Sequence, residues 1–180
     1  MRPRVHEPLG PGIPLHQHRM QEQITLPATD DRVALFTALM PQIRELLREE
    51  RDPIAALANV AAALRQAFGW HWIGFYRVMG AELVLGPFQG PVACTRIGYG
   101  KGVCGTSWQE EKTIIVPDVA KFPGHIACSA ASRSEIVVPI RDSDGRIAAV
   151  LDIDSVVEGD FTVVDGHALE QLCELLEPLF

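Results

Sequence analysis

Residues 134–155 read SEIVVPIRDSDGRIAAVLDIDS, and this stretch decides the fold. Two runs rich in β-branched residues, 134–140 and 147–155, flank Asp142, Ser143, Asp144, Gly145 and Arg146. An Asp-Gly step between two such runs is a strong hairpin signal, because Gly takes the positive φ that a tight antiparallel turn requires. Alternation along the second run then sets Asp152 and Asp154 on one face of a strand and Leu151 and Ile153 on the other. Two carboxylates inside an otherwise apolar strand oppose local propensity, a conflict that often marks a site.

Outward from this hairpin, further short β-rich runs at 72–78, 82–87 and 113–116 are separated by turn residues, with 78–82 as a second tight turn. Before them, Asp30 or Asp31 caps a helix reaching Leu47, with Leu35, Leu39, Ile43, Leu46 and Leu47 recurring at three- and four-residue steps. Asp52 and Pro53 start a second helix that runs to Phe68 and stops at Gly69. Residues 162–179 repeat the helical pattern at the other end, through Val163, Leu169, Leu172, Cys173 and Leu176. An α+β fold follows: a central antiparallel sheet, helices packed mainly on one face, and the long 90–133 connection over the other. Long connections often carry function. Residues 1–29, rich in proline and without periodicity, read as a flexible extension to a domain spanning 30–180.

The formal net charge of −7 leaves no basic footprint for nucleic acid. No apolar run approaches the roughly 18 residues of a membrane span, and the N-terminus lacks the apolar core of a secretory leader. A cytoplasmic location is expected. There the four cysteines would be kept reduced, which favours catalysis or metal binding over structural cross-linking.

Three cysteines, Cys94, Cys104 and Cys128, fall inside the 90–133 connection, whereas Cys173 lies on the apolar face of the last helix and reads as core. Gly98, Gly100, Gly102 and Gly105 surround Cys104 and either give its backbone freedom to bring the sulfur toward another one or only form turns around a buried cysteine, two readings that spacing alone leaves open. A zinc site from Cys94, Cys104, His125 and Cys128 is the competing chemistry, but only His125 and Cys128 are close in sequence, unlike tight zinc knuckles. His16 and His18 have no further ligand at suitable spacing. No metal and no cofactor is expected.

Six strings in order, 72–76 (WIGFY), 85–90 (LGPFQG), 102–106 (GVCGT), 122–128 (FPGHIAC), 134–139 (SEIVVP) and 151–155 (LDIDS), resemble the free methionine-(R)-sulfoxide reductases. These are enzymes of the GAF fold, and the similarity spans roughly residue 31 to the end. Several strings at ordered spacing are far more specific than any one. The resemblance implies reduction of free L-methionine (R)-sulfoxide, with Cys128 as nucleophile, Cys104 as principal resolving cysteine and Cys94 as an auxiliary one. The thiolate would take the sulfoxide oxygen, pass through a sulfenic acid and form a disulfide, to be reset by thioredoxin. Glu135, Asp152 and Asp154 match the family's substrate-site carboxylates, which bind an ammonium group and hold a proton for the sulfoxide oxygen. Trp72 and Tyr76 match aromatics that enclose the substrate's methyl end. A homodimer is a further implication of the likeness.

Ser129 departs from the Asp often found after the nucleophile, and residues 1–29 have no counterpart in the family. The rival function is a GAF sensor or binding module whose cysteines report redox state without turnover, since fold alone does not separate the two. The joint presence of Cys104, Cys128 and three acids favours the enzyme.

Overall fold

The computed structural model describes residues 24–126 and 130–180. Two helices, α1 (Arg32–Leu47) and α2 (Pro53–Phe68), precede the sheet. Asp31 caps α1 by accepting from the Val33 amide at 2.9 Å, and Asp52 caps α2 by accepting from Ile54 and Ala55. Gly69 ends α2 at φ 65°, a left-handed residue where a side chain would be strained.

The strands are β1 (Trp72–Met79), β2 (Glu82–Gln89), β3 (Arg96–Gly98), β4 (Ile114–Val116), β5 (Ser134–Arg141) and β6 (Ile147–Ser155). They form one sheet in the order β3-β2-β1-β6-β5-β4, and every neighbouring pair is antiparallel. The expected hairpin is present: Gly145, at φ 80°, donates its amide to Asp142, whose amide in turn reaches the Arg146 carbonyl. Helix α4 (Val163–Glu174) follows β6 with a reciprocal capping box between Thr162 and Asp165. It ends at Glu174, five residues short of the expected 179, and a 3-10 turn (Glu177–Leu179) continues the chain.

The sheet separates two apolar layers, as its two-residue period demands. Ile73, Phe75, Ile136, Val138, Leu151 and Ile153 face α1, α2 and α4 and make the larger core with Leu39, Leu57, Leu64 and Leu169. Trp72, Tyr76, Val137 and Val150 point to the opposite face, where α3 (Gly102–Glu110) supplies Val103 and Cys104. Three helices thus lie on one face, and the connection covers the other.

Two elements depart from expectation. The glycine-flanked segment around Cys104 is a helix, α3, rather than a mobile stretch or a set of turns, and Cys104 is buried in it. Its glycines serve close approach: a Cβ on Gly105 would stand 2.4 Å from the Gly98 carbonyl oxygen. The start of the folded part also lies before residue 30. Ile24 and Leu26 pack on the larger core, and Thr25 and Gln42 exchange two hydrogen bonds of 2.8 Å. The rest of the expected extension, 1–23, lies outside the described residues.

Candidate active site

The registers of three strands bring the acids together. Glu135 on β5 pairs with Asp154 on β6, Val137 with Asp152, and on the other side of β6 Gly74 pairs with Asp152 and Trp72 with Asp154. Alternation therefore turns Glu135, Asp152 and Asp154 to the α3 face. Cys104, in the first turn of α3, descends on them from above. Its sulfur and one carboxylate oxygen each of Glu135 and Asp152 all lie within 4.8 Å of one another.

One cavity joins Cys104, Glu135, Asp152 and Asp154 with Lys101, His125 and Ser132. His125 stands at its side, Nε2 3.6 Å from Glu135 Oε2. Glu135 is 6 % exposed and Asp152 7 %, so two acids and a thiol share a nearly dry site. Asp152 Oδ1 is buried without a hydrogen-bond partner among the described residues.

Desolvation dominates the site's protonation. Burial pushes Glu135 well above the usual carboxylate range, and the neighbouring charge of Asp154 pushes it further. Asp152 rises through burial and then through the charges of Glu135 and Asp154. Asp154 rises less, its burial being offset by the Ser132 hydroxyl and by His71 and His125. The Cys104 thiol is raised by burial and by the carboxylates beneath it. Like charges this close do not all ionise, so the cluster retains protons at neutral pH and can deliver one to a bound acceptor.

The cysteines divide. Cys104 and Cys173 are free and buried, Cys173 within the larger core as its sequence position suggested. Cys94 is disulfide-bonded, which removes it from the four-ligand zinc set considered above. Cys128 and Ser129 lie outside the described residues.

Trp72 and Tyr76 do stand on the α3 face, but as packed rings rather than an open wall. Their exposures are 3 % and 1 %, and neither lines the cavity. Trp72 stacks on Phe88 and Tyr76, and its Nε1 donates to the Pro91 carbonyl at 3.0 Å. Tyr76 Oη donates to the Cys94 carbonyl at 3.0 Å, tying the sheet to the connection.

Lys101 and Ser132 were not singled out from sequence. Lys101 is the N-cap of α3 and lines the cavity, a place that only the presence of α3 reveals. Ser132 precedes β5 by two residues, and no spacing signal announces it.

The GAF domain model matches residues 52–178. GAF domain-containing protein A of Dictyostelium discoideum is 57 % identical over 143 residues, covering 79 % of this chain and 90 % of that protein. The free methionine-R-sulfoxide reductase of Escherichia coli is 43 % identical over 148 residues, with 82 % and 89 % covered. Among solved structures, the Neisseria meningitidis free methionine-R-sulfoxide reductase in complex with its substrate superposes with a TM-score of 0.82 at 49 % identity, covering 86 % of this chain and 94 % of that one.

Proposed function

The chain belongs to the GAF-domain family, in its branch of free methionine-R-sulfoxide reductases, and from that premise we propose that it reduces free L-methionine (R)-sulfoxide to L-methionine in the cavity beneath α3. The observation that carries this reading is the convergence of the Cys104 thiol with two buried acids, Glu135 and Asp152, both shifted by burial toward the protonated form.

A zwitterionic amino acid fits the charges present. An ionised carboxylate among Glu135, Asp152 and Asp154 receives the ammonium group, and Lys101 at the same cavity offers a partner for the substrate carboxylate. A still-protonated acid donates to the sulfoxide oxygen as a thiolate attacks sulfur, which makes the oxygen a better leaving group. The oxygen passes to the cysteine: thiol and sulfoxide become sulfenic acid and thioether. The sulfenic acid then condenses with a second thiol to a disulfide and water, and a thioredoxin dithiol reduces that disulfide.

Cys128 as nucleophile and Cys104 as resolving cysteine is the assignment the sequence supports, with Cys94 auxiliary.

No helix among the described residues is long and apolar enough to cross a membrane. A cytoplasmic location, where thioredoxin keeps thiols reduced, completes the proposal together with a homodimer, which light scattering would detect.

The deciding experiment is NADPH consumption in a thioredoxin-coupled assay with separate R and S epimers of free methionine sulfoxide. Turnover of R alone is expected. Cys128→Ser and Cys104→Ser, assayed for methionine release in a single turnover without thioredoxin, identify the nucleophile as the one whose loss abolishes release. No turnover of either epimer by folded, reduced protein would instead support a GAF sensor.

A further inference from the structure

The geometry points to a binding site for one thiophilic divalent cation, Zn²⁺ by its donor set, formed in the reduced protein by Cys104, Glu135 and Asp152. The three donor atoms already lie within 4.8 Å of one another. Ligands sharing a zinc ion sit roughly 3.5 Å apart, given bonds of about 2.0–2.3 Å, so side-chain rotations of about an ångström close the set. The three come from α3, β5 and β6, whose backbones are fixed by helix and sheet hydrogen bonds, and all three side chains are buried.

A second feature separates this cluster from an ordinary group of acids. Asp152 Oδ1, buried on a residue only 7 % exposed, has no hydrogen-bond partner among the described residues and lies in the cavity wall. A buried carboxylate oxygen without a donor costs free energy that a cation would recover. The set is three donors, and His125, 3.6 Å from Glu135, stands beside it. One sulfur and two carboxylate oxygens, with a fourth position left open, suit zinc, whereas magnesium and calcium prefer all-oxygen shells. The ligand set differs from the Cys94-containing one weighed from the sequence, and it does not involve the disulfide.

On binding, the Cys104 thiol and any protonated carboxyl release their protons to solvent as Zn–S and Zn–O bonds form, with no change in oxidation state. The bound ion occupies the carboxylates and holds Cys104 as a metal thiolate. It therefore excludes an ammonium-bearing ligand from the same place. This inference does not depend on the proposed reduction of methionine sulfoxide, because the site can be titrated without turnover.

The test is titration of the reduced full-length chain with Zn²⁺ against a chromophoric chelator, paired with Co²⁺ substitution to observe the thiolate-to-cobalt charge-transfer band. One equivalent bound with that band is expected. Cys104→Ser should abolish the band, and Asp152→Asn should weaken binding by at least about tenfold, a loss seen even for supporting groups at metal sites. A combined His16→Ala and His18→Ala variant should bind as the parent does. Circular dichroism of each variant distinguishes a lost ligand from a lost fold, and Glu135→Gln provides a second ligand deletion if one variant fails to fold. No stoichiometric binding by the reduced parent, or a band that survives Cys104→Ser and disappears in Cys128→Ser, would overturn the site.

Discussion

Glu135 and Asp154 face each other directly across the β5–β6 pair, two carboxyls in register on the same face of the sheet, with Asp152 one step along that face. Like charges in such cross-strand positions are destabilising, and burial raises the cost. A group whose folded pKa is raised contributes stability fully below its unfolded pKa and loses it as pH rises toward the folded value. Near pH 7 the cluster therefore lowers stability. Glu135→Gln and Asp152→Asn should each raise the melting temperature at pH 7 by a few degrees, on the scale of roughly 2–4 °C per kcal/mol for a chain this size. The gain should shrink when melts are repeated at pH 4, while sulfoxide reduction falls in both variants. A pH-independent gain would assign the effect to packing instead.

The two free cysteines should separate cleanly. Cys104 meets the acids and Cys173 sits in the larger core on the opposite side of the sheet. Cys173→Ala should leave kcat/KM for methionine sulfoxide unchanged and cost on the order of 1 kcal/mol in stability from the small cavity. Cys104→Ser should cut steady-state turnover sharply, leaving only what an auxiliary Cys94 can resolve. Coupled assays and thermal melts on the two variants read both outcomes.

Much of this site was legible because a strand's two-residue period places side chains without further information. Leu151, Asp152, Ile153 and Asp154 announce one polar and one apolar face, and the Asp144-Gly145 turn fixes the partner strand that brings Glu135 alongside. Helix α3 was not legible. Gly102 and Gly105 are poor helix formers, and the reason for them is tertiary, the approach of α3 to Gly98 and Gly100. Strand β3, three residues long, carries too few positions for a period to show, whereas β4 lies within the expected run 113–116. The burial of Trp72 and Tyr76 depends on the Pro91 and Cys94 carbonyls that cover them, contacts across 18 or 19 residues that no local pattern encodes.

That approach of α3 makes Gly105 a sensitive position far from the acids in chemistry but not in consequence. An alanine Cβ there meets the backbone oxygen of Gly98 at 2.4 Å and Gly100 N at 3.2 Å, neither of which is a flexible side-chain end. Gly105→Ala should shift α3 outward, cost about 1–3 kcal/mol as overpacking does, and lower turnover by withdrawing the Cys104 sulfur. Denaturant melts and coupled assays test it; a variant with parental stability and activity would mean that the helix has room to adjust.

Tyr76 connects the sheet to the disulfide-bonded Cys94 through one hydrogen bond of 3.0 Å. Tyr76→Phe keeps the ring stacked on Trp72 and leaves the Cys94 carbonyl without that donor. The expected cost is about 1 kcal/mol, together with a more mobile 90–95 segment. If that segment must open for the substrate's methyl end to reach Trp72, KM should change more than kcat. A stability loss with neither constant altered would confine the hydrogen bond to a structural role.

The pH profile of a single turnover tests the proton donor most directly. Glu135 and Asp152 are raised chiefly by burial, then by the charges of their carboxylate neighbours. A raised acid stays protonated at neutral pH and is lost as pH climbs through its folded pKa, so donation weakens on the alkaline side. Ionisation of the attacking thiol runs the other way, raising the rate with pH. The two trends should give a bell, the alkaline limb belonging to the carboxyl cluster. Asp152→Ala removes the side-chain hydrogen bond that holds Glu135 down against its burial, so if Glu135 is the donor its pKa rises further and the alkaline limb moves toward higher pH. If Asp152 is the donor, the variant loses the limb altogether, with the rate depressed throughout. Glu135→Gln removes a charge that raises Asp152, so it should move the limb toward lower pH if Asp152 is the donor and abolish it if Glu135 is, and an alkaline limb unchanged in both variants would remove the cluster from proton transfer.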